Sequence, residues 1–97
     1  MKTKREQILD KAQKLICGER SNVYGNPLDN MQHTANYWNN YLQGKLSKPI
    51  TAQDVALMMV LVKFSRLNNT PNHYDSILDS VGYMAISAEA LDEPKQQ

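Results

Sequence analysis

Apolar residues recur at helical spacing in four stretches of the chain. Ile8, Leu9, Ala12, Leu15 and Ile16 follow Thr3 at intervals that favour one helical face, and Glu6 stands three residues past Thr3. That pattern is a capping box followed by an amphipathic stripe, and it predicts a helix over residues 4–17, ended by Gly18 in the left-handed conformation. Residues 19–27 break the period and are rich in turn formers. Asn26 then suits an N-cap and Pro27 the first helical position, and Leu28, Met31, Ala35, Trp38, Tyr41 and Leu42 mark a second helix over residues 27–43, closed by Gly44.

Thr51 and Asp54 repeat the capping logic and open a third helix over residues 51–67. Its run from Val55 to Val62 is apolar all round, which fits a strand or the buried centre of a bundle; the cap, the Ala and Met residues, and the continuation through Lys63, Phe64 and Arg66 select the helix. Asn68 to Asn72, with Pro71 inside it, reads as a turn. A fourth helix follows over residues 73–91, with Ile77, Val81, Met84, Ala88 and Leu91 expected to face inward. Gly82 lies mid-helix, where it costs about 1 kcal/mol relative to alanine, so a close helix contact or a ligand is expected to use the missing side chain.

These elements predict an all-α chain forming one domain over residues 1–97, a small four-helix antiparallel bundle. A chain of 97 residues buries a limited share of its surface, so completion by homo-oligomerisation is expected. With 41% hydrophobic and 22% charged residues the sequence is that of a folded protein. A net charge of +1 argues against nucleic acid as a partner, and the run Lys2, Lys4, Arg5 is a solvated turn. Cys17 is the single cysteine, which excludes an intrachain disulfide and a cysteine-based zinc cluster; beside Gly18 it reads as a buried small hydrophobe. There is no run of about 20 apolar residues and no signal-peptide core, so no membrane is implied and a cytoplasmic location is expected.

The chemistry concentrates in the second half. Asp75 and Asp79 are four residues apart on one helix face, where two carboxylates repel unless a cation joins them. Mg²⁺ suits such a pair together with substrate phosphates, Lys63 and Arg66 from the preceding helix suit it as a structural salt-bridge network, the commoner arrangement, and plain solvent exposure is the third reading. Lys63 and Arg66, three apart, can cup a phosphate or merely favour the helix C-terminus. His73 is a proton donor, a phosphate ligand or a cap, and His33 has no motif around it. Asp54 serves as a helix-start acid and joins the same region if the third helix packs along the fourth. Tyr24 beside Gly25 and Asn26 sets an aromatic ring against permissive backbone, as a base- or ribose-contacting turn does, or packs the loop.

The ordered set Tyr24-Gly25-Asn26-Pro27, Asp54-Val55-Ala56-Leu57-Met58-Met59, Lys63, Arg66, His73-Tyr74-Asp75-Ser76, Asp79 and Gly82-Tyr83 resembles a group of small phage and prophage proteins described as MazG-like, over residues 18 to 91. More distantly it is similar to the all-α nucleoside triphosphate pyrophosphohydrolases. The resemblance implies a helical bundle, oligomers, Mg²⁺ held by Asp54, Asp75 and Asp79, and a nucleotide or nucleotide-derived molecule met by Tyr24, Lys63, Arg66, His73 and Tyr83. The paired glutamates of the catalytic members have no counterpart here, since Asp29 and Asp54 are the only acids of the second and third helices. Three functions therefore stand open: Mg²⁺-dependent hydrolysis of a nucleotide phosphoanhydride, non-catalytic binding of a nucleotide or nucleotide signal that opposes host defence, and docking on a protein through Tyr37, Trp38 and Tyr41.

Overall fold

A computed structural model describes residues 1–18 and 25–91. Four α-helices make up the regular structure of these residues: α1 (Lys4–Cys17), α2 (Pro27–Tyr41), α3 (Ala52–Asn69) and α4 (Tyr74–Ala90). The α3–α4 hairpin is the spine, with α2 packed along α3 and α1 along α4. The described residues are thus all-α and pack as a small bundle.

Local chemistry sets the helix starts. At α1 the Thr3 hydroxyl accepts from the Glu6 amide at 3.1 Å while the Glu6 carboxylate accepts from the Thr3 amide at 2.9 Å. The Thr3 backbone amide, and then its hydroxyl, hold the Glu6 carboxyl below its ordinary pKa. A lowered carboxylate contributes stability that is complete above the ordinary glutamate range and is lost as pH falls through the lowered value. Acidification should therefore fray the first turn of α1, read from the carbon chemical shifts of Lys4 to Gln7, and Glu6→Gln should remove that pH dependence.

Asn26 caps α2, its side-chain oxygen accepting from Leu28 at 2.8 Å and Asp29 at 3.2 Å, with Pro27 at the first position. Thr51 and Asp54 form a second reciprocal box at the start of α3, at 3.1 Å and 3.0 Å. Thr51→Ala should cost about 1 kcal/mol in urea unfolding, the usual effect of losing such a cap.

The far ends differ from expectation in instructive ways. α2 stops at Tyr41, two residues early, and the chain turns through Gly44 at φ +83°. The connection is tied back by Asn39, whose amide group donates to the Ile50 carbonyl at 2.9 Å and whose oxygen accepts from the Ile50 amide at 2.6 Å. α3 continues through Asn68 and Asn69, which were expected in the turn. It ends where it must, because Thr70 precedes Pro71 and adopts an extended φ of −133°. Gly18 is not left-handed: its φ is −109°. Glycine is required there because a Cβ would lie 2.5 Å from the Lys14 carbonyl oxygen, to which the Gly18 amide is bonded. Cys17 is exposed, not buried, because it lies five residues past the inward Ala12, about 140° round the helix from it.

Two faces are reversed or open relative to the sequence pattern. On α4 the inward residues are Ser76, Leu78, Gly82, Ile86 and Ser87, whereas Ile77, Met84, Ala88 and Leu91 face out and Val81 is half-buried. Small residues allow this register. Gly82 lets α1 approach so closely that a Cβ would meet the Ile16 side chain at 3.2 Å. The buried hydroxyls are satisfied within the helix or at its cap: Ser87 donates to the Met84 carbonyl at 2.7 Å, and Ser76 lies 2.8 Å from His73 Nδ1. On α3 only one face is covered. Val55, Ala56, Val60 and Lys63 are buried, but Leu57, Met58, Leu61, Val62 and Phe64 are exposed, so α3 is not the enclosed centre of the bundle; its packed neighbours, α2 and α4, leave its opposite side to solvent.

Candidate functional site

The inward face of α4 borders a cavity of about 330 Å³ on which all four helices converge. α1 contributes Leu15 and Ile16, the start of α2 contributes Asn30 and Met31, α3 contributes Lys63, and α4 contributes Asp79, Gly82 and Tyr83. Gly82 accounts for the space on one wall, since any side chain there would fill it or push on Ile16.

The polar feature of this cavity is an ion pair. Lys63 Nζ donates to Asp79 Oδ2 at 3.1 Å, with the lysine side chain only 9% exposed and the aspartate 32%. A charge as enclosed as Lys63 needs a partner, because desolvating an unpaired ammonium costs several kcal/mol. Asp79 answers the repulsion expected of the Asp75–Asp79 pair by taking its cation from α3. The pair is neutral as a unit, yet it keeps unused capacity: an ammonium has three donors and a carboxylate has about four acceptor sites. The cavity therefore presents donor and acceptor side by side, next to the half-buried Tyr83 and against an apolar floor.

The other residues singled out by sequence fall elsewhere. Asp75 is exposed one turn before Asp79. Arg66 is exposed near the end of α3, and neither it nor Asp75 forms an ion pair among the described residues. His73 is exposed at the N-cap of α4, held to Ser76. Asp54 is exposed at the start of α3, engaged in its cap. Nine residues separate it from Lys63, about 14 Å along the helix axis, so the structure does not bring it to the Lys63–Asp79 pair. Tyr24 lies outside the described residues. Among the described residues no group of three His, Cys, Asp or Glu side chains is arranged to hold a metal. A Mg²⁺ ion would fit only in its sparing form, on Asp79 and Asp75 with phosphate and water completing the shell, and in competition with Lys63 for Asp79.

Sequence reasoning marked Lys63, Asp79, Gly82 and Tyr83 but missed Asn30, Met31 and Ile16 as partners in one cavity. Nothing in their spacing signals it; only the crossing of α1 and α2 over α4 brings them there.

The chain belongs to the DUF6378 family, a domain of unknown function, matched over residues 7–91. It is 39% identical over 89 residues to the Gene 55 protein of Mycobacterium phage D29, covering 92% of this chain and 56% of that protein. To the Gene 55 protein of Mycobacterium phage L5 it is 34% identical over 79 residues, covering 81% of this chain and 49% of that protein. The chain thus spans about half the length of these phage relatives. No solved structure matches it. No helix among the described residues is long and apolar enough to cross a membrane.

Proposed function

We propose that the cavity binds a nucleotide or nucleotide-derived small molecule and holds it without cleaving it, in the cytoplasm of the host cell. The observation that carries this reading is the Lys63–Asp79 pair enclosed beside Tyr83 in about 330 Å³. That volume lies at the small end of ligand pockets, enough for a nucleoside-sized group and too little for a whole triphosphate. A base edge alternates donors and acceptors, which Lys63 and Asp79 match, and its ring system suits the apolar floor and Tyr83. Phosphates would emerge toward the hairpin end of α3 and α4, where Arg66 and His73 are exposed. The MazG-like motif resemblance supports nucleotides as the ligand class. Non-catalytic binding is favoured over hydrolysis because the carboxylates are dispersed: Asp54 caps α3 and Asp79 is committed to Lys63. Were Mg²⁺ to bind, Asp75 and Asp79 would hold it, and it would supply charge neutralisation at a phosphoanhydride.

Calorimetry with nucleosides and nucleoside mono-, di- and triphosphates, with and without Mg²⁺, tests the proposal. Saturable binding that survives removal of Mg²⁺ and weakens at least tenfold in Tyr83→Ala is expected; silence across the panel rejects it. Phosphate release above that of an Asp79→Asn control would replace binding with catalysis.

A further inference from the structure

Independently of the ligand, we infer that the outward face of the α3–α4 hairpin is the surface on which a second copy of this chain docks. On α4 the exposed apolar residues Ile77, Met84 and Leu91, with Val81 and Ala88 between them, follow a four-three-four-three spacing over two heptads. That is the spacing of a helix–helix seam, and α4 turns it away from its own bundle. On α3 Leu57, Leu61 and Phe64 repeat a four-three step and are also exposed.

The two stripes share one side of the hairpin. Lys63 and Gly82 both line the cavity, and each is two residues from a stripe residue, Leu61 and Met84 respectively. Two residues are about 200° of helix, so both side chains leave on the side opposite the cavity, α1 and α2.

The area fits a dimer. Leu61 is 62% exposed, Phe64 54%, Met84 49% and Leu91 68%, with Leu57 and Ile77 near 38–39%. Together the six leave on the order of 600 Å² of apolar side chain in solvent, the upper limit for a monomer's largest patch and, with its rim, near the roughly 800 Å² per partner of a stable interface. The stripes also carry no charge. A two-fold contact sets a patch against itself, so any net charge on it would repel its own copy; a neutral patch does not.

Sedimentation equilibrium of the full chain should give a dimer mass, and Leu61→Glu and Met84→Glu should each return it to the monomer. Both positions point outward, so the variants should keep the wild-type helical circular dichroism. Tyr37→Glu, on the exposed aromatic pair of α2, should leave the dimer intact. A wild type that is monomeric up to its solubility limit overturns self-association. A dimer that withstands both hairpin substitutions yet falls apart in Tyr37→Glu overturns the choice of surface. If either glutamate variant fails to fold, Met84→Gln and Leu61→Gln, which add polarity without charge, should weaken the dimer at least tenfold; no weakening counts against the proposal.

Discussion

Asp79→Ala should cost about 3 kcal/mol of folding free energy, while Lys63→Met should cost less than about 1 kcal/mol or be neutral. The two sides of the pair differ in their escape routes. With Asp79 removed, the enclosed Lys63 ammonium, 9% exposed in the intact protein, loses its carboxylate partner and must lose its charge or open the bundle. With Lys63 removed, Asp79 is a third exposed and can take up water in place of the ammonium. Methionine keeps the aliphatic length of the lysine stem, so packing against α4 changes little. Urea unfolding of the two single variants and of the double variant checks this, and equal losses in both singles would show that enclosure of Lys63 is not what makes the pair matter. The double variant should be more stable than Asp79→Ala alone, because it removes the stranded charge.

Gly82→Leu should be the other severe change. A Cβ alone would stand 3.2 Å from Ile16 Cγ2, a contact that requires Ile16 to give by a few tenths of an ångström. Alanine should therefore be close to neutral, its gain in helix propensity of about 1 kcal/mol offset by that crowding. Leucine adds three further carbons and has two directions available. Toward α1 it overpacks, at about 1–3 kcal/mol, and lifts α1 off α4; toward the cavity it fills the space that Tyr83 and Lys63 border. Either outcome abolishes ligand binding, and hydrogen exchange separates them, since only the first exposes the amides of α1. Retained binding by a folded Gly82→Leu protein would remove this cavity as the ligand site.

What the sequence disclosed follows from how local its causes are. Thr3 with Glu6, Asn26 with Pro27, and Thr51 with Asp54 act within three residues, so the helix starts could be read directly. Helix ends were less legible. The Gly18 and Asn68–Asn69 expectations failed because contacts to Lys14 and the constraint of Pro71, rather than residue preference, decide them. The largest misreading was the face of α4. Ile77, Val81, Met84, Ala88 and Leu91 have the period of a buried seam, but periodicity does not say which side of a helix its own bundle covers. Ser76 and Ser87 look like surface residues, yet hydrogen bonds to His73 and to the Met84 carbonyl let them go inside. At the site, spacing on single helices brought Asp75 and Asp79 together on paper. The bundle supplies the expected cation for Asp79 from Lys63, one of the two basic residues the spacing offered, and leaves Asp75 and Arg66 in solvent.

The Asn39 clamp on Ile50 has a practical consequence. Because both polar groups of one side chain grip the far end of the connection, the stretch from Gln43 to Pro49 bulges out wholly exposed while its two ends stay fixed on the bundle. Loop closure grows only slowly with length, by about 0.6 kcal/mol per doubling. That stretch is accordingly the natural socket for a fluorophore, an affinity peptide or a fused reporter, far enough from the cavity wall for the label to report on the domain without occupying it.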